Sequence, residues 1–323
     1  MMEPLFLTPV FQKKIWGGRR LQTEFDYNLP DGNIGECWAI SAHHHGVSVV
    51  RNGAYAGIDL ATLWQDEPQL FGNPKQQVFP LLVKILDAHE DLSVQVHPDN
   101  EYAQIHENEL GKTECWYILA AKPGSTLVYG HFARDQQQLD QLLQQRDWQH
   151  LFRHVPVKTG DFVYVPSGTI HALSHGVLAL ETQQSSDTTY RIYDYDRVDA
   201  TTGQKRALHL KQARKTITVP FVDPQIKPQV KMICGNRLTC YVAPPVSPYF
   251  AVWGLEISQQ ATFTHQLGAY TLVSVIDGNG EIVIAGNSYS LQKGDHLIIP
   301  ATVSQWDFAG SDLHLITSEA IAN

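Results

Sequence analysis

The sequence predicts a mainly β protein built from two copies of one β-unit, and three observations lead there. Apolar stretches are short and broken by turn residues, with 23 glycines and 17 prolines in 323 residues, as expected of many strands joined by tight turns. A repeat runs through them: GDFVYVPSGTIHAL (160–173) matches GDHLIIPATVSQWD (294–307), each reading Gly-Asp, four residues, then proline. Five residues past that proline stand His171 in the first copy and Gln305 in the second. Between the copies, PFVDPQIKPQ (220–229) holds three prolines in ten residues and reads as a linker. The expected division is therefore 1–219, 220–229 and 230–323.

The first 60 residues read as short strands and loops, among them WGGRRL (16–21), GECWAIS (35–41) and HGVSVVRNG (45–53). They can add strands to either copy. Asp59 is placed to cap a short helix ended by Gly72. Strands follow at 77–88 and 92–98. In the second, Leu92, Val94 and Val96 alternate with Ser93, Gln95 and His97, so the three polar side chains share one face. A polar helix is expected next, stopped by Gly111, and then a strand over 113–121 reaching a turn at KPGS. The clearest helix is 134–152, where Leu139, Leu142, Leu143, Trp148 and Leu151 fall near an i, i+3, i+4 pattern. Strands resume to about residue 218 and again over 230–319. Setting WYILAAKPGSTLV (116–128) against LVSVIDGNGEIVI (272–284) puts Gly124 opposite Gly280 and Glu114 opposite Tyr270.

A formal net charge of −9 argues against a nucleic-acid or anionic-membrane partner. It leaves room for a small anionic substrate, since a few local Arg and Lys residues bind a phosphate inside an acidic protein. Cys37, Cys115, Cys234 and Cys240 show no CxxC spacing and are expected to be reduced thiols. The N-terminal stretch has an acid at position 3 and no apolar run fit for a secretion signal, and no stretch is long enough to span a bilayer. Cytoplasm is the expected location.

The first copy keeps polar residues that the second lacks: Gln95 and His97 on one strand, Glu114 opening another, and His171 after a Gly-x5-Pro-x-Gly-x2-His turn. Singly, each has an ordinary reading as a surface or core residue. Jointly, two imidazoles, a carboxylate and an amide oxygen suit a zinc-like divalent ion with room left for water or substrate. The run His43, His44, His45 is not expected to share one ion, because consecutive residues in extended chain face opposite ways. Trp38 and Trp116 are expected in the core, and Trp16 is placed to line the site.

Gly160-x5-Pro166-x-Gly168-x2-His171 resembles the second motif of the cupin superfamily. Gln95-x-His97 followed by Glu114 resembles the first, with glutamine in place of the usual leading histidine and a helical insertion before the glutamate. With IWGG (15–18), VQVHPD (94–99), KTECWY (112–117), PSGTIHAL (166–173) and ETQQSSDTTYRIYD (181–194), nearly the whole chain resembles the type I mannose-6-phosphate isomerases in their short bacterial form. The resemblance implies two cupin-type β-sandwich barrels (jelly-roll) with a small helical insertion in the first. It implies one zinc ion per chain, held by Gln95, His97, Glu114 and His171, and a second barrel without metal, where Tyr270 and Gln305 replace the glutamate and histidine. In longer members a helical domain separates the glutamate from the last histidine. Here only residues 129–155 are available, so a more open pocket is expected on that side.

The implied activity interconverts mannose 6-phosphate and fructose 6-phosphate, with the sugar phosphate as partner. Arg191 is then expected to contact phosphate or developing negative charge, the alternative being a surface arginine paired with Asp187 or Asp194. Lys112 is expected at the substrate, and Glu181 is the candidate proton-transfer base, with Lys112, a histidine or zinc-bound hydroxide as alternatives. Ser93, Lys84 and Asp187 are candidate substrate contacts. The same residues would serve an isomerase of another sugar phosphate, and a non-catalytic sugar-binding cupin is the reading from a different class.

Overall fold

The computed structural model describes residues 2–199 and 202–321. Two β-sandwiches stand back to back. In the first, a six-stranded sheet runs in the order Phe162–Val165, Glu114–Ala120, Leu178–Gln184, Leu81–Asp87, Ile34–Ile40, Val10–Gly18. It faces a five-stranded sheet of Tyr190–Tyr193, Val94–Val96, His171–Leu173, Thr126–His131 and Phe152–Pro156. Leu86, Trp116, Ile118, Leu127, Leu173 and Ala179 pack between them. The second sandwich sets an eight-stranded sheet against a four-stranded one around Val273, Val275, Ile282, Leu297 and Phe308. The arrangement is sandwich-like rather than a pair of closed barrels.

Strand alternation explains how the two large sheets meet. Along Glu114–Ala120, Glu114, Trp116 and Ile118 point into the first sandwich while Cys115, Tyr117 and Leu119 point out. The outward set packs with Phe250, Leu272, Ile298 and Ile316 of the eight-stranded sheet in one shared core. Both faces of the six-stranded sheet are therefore buried, which is why LLVKILD reads as an almost unbroken apolar run. The first 50 residues serve both sandwiches: Val10–Gly18 and Ile34–Ile40 extend the first, whereas Leu5–Thr8 pairs with His296–Ile299 and Val49–Val50 in the second.

Asp59 caps the helix Leu60–Asp66 by accepting from Thr62 N, and Gly72 takes the left-handed position after the turn Pro68–Phe71. Asp99 caps Asn100–His106, which ends short of Gly111. The helix expected over 134–152 is two, Gln136–Gln145 and Trp148–Leu151, because Arg146 turns left-handed (φ 54°) and Asp147 starts a new cap. Their leucines cover the outer face of the five-stranded sheet against Val128, Ala172 and Ile192, leaving the glutamines to solvent. In the linker, Phe221 packs on Tyr129 with ring centroids 5.5 Å apart and Asp223 pairs with Arg153 at 3.1 Å.

The register of the repeat needs correcting. In the first copy Val165 pairs with Glu114 and Phe162 with Tyr117; in the second Ile299 pairs with Thr271 and His296 with Ser274. Thr271, not Tyr270, thus occupies the place of Glu114. Likewise Phe263 pairs with Trp306 as Gln95 pairs with His171, so Trp306, not exposed Gln305, takes the place of His171. Loops differing by one residue cause this, and in a strand a one-residue slip exchanges the two faces. His265 then stands where His97 does, its Nδ1 2.8 Å from Thr271 Oγ1 and its ring 5.0 Å from Trp306.

Tyr270 instead joins Trp64, Phe71 and Phe79 in the shared core, with ring centroids 5.4 to 6.1 Å away. Its hydroxyl is buried with no hydrogen-bond partner among the described residues. Tyr270→Phe is therefore expected to hold or raise stability by about 1 kcal/mol, whereas Tyr270→Ala should cost about 3 kcal/mol through the cavity it leaves. Urea unfolding distinguishes them; a phenylalanine variant as weak as the alanine one would contradict this packing.

Candidate active site

Three adjacent strands set Arg191, Gln95 and His171 directly opposite one another, so their side chains form one inward row. Glu114 opens the facing strand of the other sheet, and His97 follows Val94–Val96 where Pro98 ends the alternation. The turn before His171 depends on Gly168: its φ is +83°, a Cβ there would meet Thr218 Oγ1 at 2.3 Å, and its N–H donates to the His97 carbonyl at 2.9 Å. His97 Nε2 and His171 Nε2 each lie 3.3 Å from a different oxygen of Glu114. The donor atoms of the three fall within 4.8 Å of one another, all buried. The Gln95 amide is 3.3 Å from His171 Nε2, and a half-turn of that amide presents its oxygen.

These residues fit a cation. His97 Nδ1 donates to the Thr188 carbonyl and His171 Nδ1 to that of Thr169, both at 2.9 Å, which leaves the Nε2 lone pairs free to ligate. Burial, helped by the Lys112 charge, lowers His97 to about 3, and burial lowers His171 too, so both imidazoles stay neutral. Burial would raise Glu114, but the Lys112 charge outweighs it and holds the carboxyl well below its usual range. Its Oε1 accepts no hydrogen bond among the described residues. An ionised carboxylate so deeply buried requires positive charge beside it. Lys112 Nζ supplies some, 2.8 Å from Glu114 Oε2 and 2.9 Å from His97 Nε2.

Gln95 opens onto a narrow cleft, and Ser93, Lys84, Lys112, Glu181, Asp187 and Arg191 all line it, as does Trp16. All the expected catalytic and substrate contacts are thus brought together. Lys14, Glu36 and Arg206 line it as well and were not expected. Glu36 had a signal: like Lys84, it is a charge interrupting a strand that is otherwise wholly buried. Lys14 stands two residues before Trp16 on one strand, whereas Arg206 lies in a stretch without periodicity and had none. Residues 129–155 contribute nothing to the lining; their helices sit on the far side of the five-stranded sheet, so that segment does not set how open the cleft is.

A buried charge network orders the floor. Lys84 Nζ is 3.7 Å from both Glu36 and Glu181, and Lys14 is 3.1 Å from Glu36. Trp38 Nε1 donates to Glu36 at 2.6 Å and Trp116 Nε1 to Glu181 at 2.9 Å, so these two core indoles also orient the carboxylates. Burial would raise Glu36, but Lys84 and Lys14 hold it at about 2. Glu181 goes the other way: burial and the Glu114 charge push it up to about 6. Arg191 pairs with neither Asp187 nor Asp194. Asp194 is held by Arg197 and Arg206, and Asp187 by His45 at 3.0 Å. Arg191 donates from Nη1 to the Ala207 carbonyl at 3.0 Å, and its buried Nε has no partner among the described residues.

Two stacked sandwiches, with a buried His-Glu-His donor set in the first, define a two-unit cupin with a centre able to hold a metal. Residues 5–133 match the family described as phosphomannose isomerase type I, catalytic domain, and residues 242–320 the mannose-6-phosphate isomerase cupin domain. The chain is 51% identical over 320 residues to the mannose-6-phosphate isomerase of Streptococcus mutans serotype c, covering 99% of each. It is 46% identical over 309 residues to mannose-6-phosphate isomerase ManA of Bacillus subtilis, covering 95% of this chain and 96% of that one. A crystal structure of mannose 6-phosphate isomerase from Bacillus subtilis matches with a TM-score of 0.93 at 44% identity, over 98% and 99% of the two chains. The chain belongs to the type I mannose-6-phosphate isomerase family.

Proposed function

We propose that the protein interconverts mannose 6-phosphate and fructose 6-phosphate, with one zinc ion per chain held by Gln95, His97, Glu114 and His171. The observation that carries this is a cleft that reaches the buried His97, Glu114 and His171 cluster through Gln95 and Lys112, and that also holds an arginine without a carboxylate partner and a carboxyl raised towards neutrality. Zinc bound there would act as a Lewis acid towards the sugar oxygens that become negative during isomerisation. Arg191, with spare donors, binds the phosphate, and Lys112 and Ser93 hold sugar oxygens. Asp187 accepts from a sugar hydroxyl. Glu181 moves the proton between C1 and C2, oriented by the Trp116 indole and by Lys84. Lys84 lies at the pocket floor beside the same carboxylate.

Under this reading residues 1–219, apart from Leu5–Thr8 and Val49–Val50 in the sheet of the other sandwich, form the metal-bearing catalytic unit and 230–323 a second unit without metal, in which Thr271 and Trp306 stand at the ligand positions, with 220–229 joining them. Among the described residues no helix is long and apolar enough to cross a membrane, and the expected place of work is the cytoplasm. Coupled assays with mannose 6-phosphate and glucose 6-phosphate, run beside metal analysis, test the proposal. Turnover of mannose 6-phosphate that disappears on chelation and returns with zinc supports it. Turnover confined to glucose 6-phosphate, or none with either, contradicts it.

Glu181→Gln should lower kcat by about 100-fold or more while metal content and KM hold. A base must be unprotonated to act, so activity of the parent should rise with pH through the range near 6 set for Glu181. An unchanged kcat in the variant would move the proton transfer to another group.

A further inference from the structure

We propose that Glu109 is a positioning residue for the metal centre, acting through the loop 186–188, and that His43 from the histidine run holds it in place. The proposal rests on the reading of His97, Glu114 and His171 as metal ligands. Glu109 does not line the cleft; it lies on the wall of a separate groove of about 730 Å³ that shares no residue with it. Its Oε2 accepts from Ser186 Oγ at 2.8 Å, Asp187 N at 3.2 Å and Thr188 Oγ1 at 2.9 Å. One carboxylate oxygen thus ties down three successive residues.

What those residues carry makes the contact consequential. The Thr188 carbonyl accepts from His97 Nδ1 at 2.9 Å, so its place sets the rotation of that imidazole and the aim of Nε2. Asp187 lines the substrate cleft. The loop is also held at its start, where the Gln183 amide donates to the Ser186 carbonyl at 2.7 Å; at Thr188 the Glu109 contact is joined by a bond within the loop, Thr188 N to the Ser186 hydroxyl at 3.2 Å.

The histidine run braces the same loop from behind. The backbone N–H of His45 lies 3.3 Å from His43 Nδ1. In neutral His43 the proton is therefore on Nε2, which donates to Glu109 Oε1 at 3.3 Å. His45 Nδ1 lies 3.0 Å from Asp187 Oδ2. His45 meets the loop directly at Asp187, whereas His43 reaches it through Glu109, so alternate members of the run brace one loop. The contact with His43 keeps Glu109 at about 2, a permanent acceptor at neutral pH.

The test is zinc affinity of the full chain, by competition with a chromophoric chelator, for the parent, Glu109→Ala and Glu109→Gln, beside the melting temperature of each metal-free protein. Loss of a supporting contact behind a ligand is expected to weaken zinc binding by about 10-fold in Glu109→Ala, with a smaller loss in Glu109→Gln, which keeps one acceptor, and with the metal-free melting temperature near that of the parent. If Glu109→Ala does not fold, Glu109→Gln decides. Unchanged zinc affinity in both variants overturns the proposal, and so does an affinity loss that merely follows a fall in the metal-free melting temperature. Failure of the underlying reading is separate: there the parent itself binds zinc no more tightly than His97→Ala.

Discussion

His97→Ala is expected to remove both the bound metal and the activity while leaving a folded protein. The imidazole is fully buried and its Nε2 sits 3.3 Å from Glu114, so the substitution deletes a donor at the centre of the set. With the dication lost, its Lewis-acid stabilisation of negative charge on the sugar oxygens goes with it, and a fall in kcat/KM on the order of 10³-fold or more is expected. The fold should survive, because Lys112 remains 2.8 Å from Glu114 and keeps that buried carboxylate paired. Metal content by mass spectrometry and a coupled assay read the outcome. A variant that keeps its metal and its turnover would remove His97 from the centre.

Arg191→Ala is expected to act on the substrate and not on the metal. Arg191 stands beside Gln95 in the inward row but touches none of the three donors of the His-Glu-His set, and one of its buried N–H groups has no partner among the described residues. A guanidinium forked onto phosphate makes two charge-assisted hydrogen bonds, each worth about 1.5–3 kcal/mol. Losing both should lower kcat/KM by about 10²- to 10⁴-fold. Zinc content should not change. Arg191→Lys should recover little, since a point charge does not reproduce the fork. Near-normal turnover in Arg191→Ala would assign the phosphate to another cation of the cleft, Arg206 first.

Much of this is legible in the sequence. Period-two alternation in LSVQVHP placed Gln95 and His97 with Ser93, and the Gly-Pro-Gly-His spacing marked the turn that delivers His171. Lys84 announced itself as a charge inside an apolar run. What failed did so where one residue matters. The repeat matched the two copies by proline spacing, yet loops one residue out of step put Thr271 and Trp306 where Tyr270 and Gln305 were expected, and alternation turned that slip into a change of face. The helix over 134–152 read as continuous because its leucines keep their period across Arg146, where the backbone does not. The histidine run was expected to face alternate ways as extended chain, yet His44 and His45 lie in a turn and the three ring centroids are 4.1 to 4.8 Å apart; its bracing of Glu109 and Asp187 joins segments separated by 66 and 142 residues, and no local pattern carries that.

Four side chains from three segments of the chain are proposed to grip one dication, and anomalous diffraction at the zinc edge from crystals of the zinc-loaded protein decides whether they do. A single peak is expected about 2.0–2.2 Å from His97 Nε2, His171 Nε2, a Glu114 oxygen and the Gln95 amide oxygen. A peak elsewhere, or none between these residues at full loading, would contradict it.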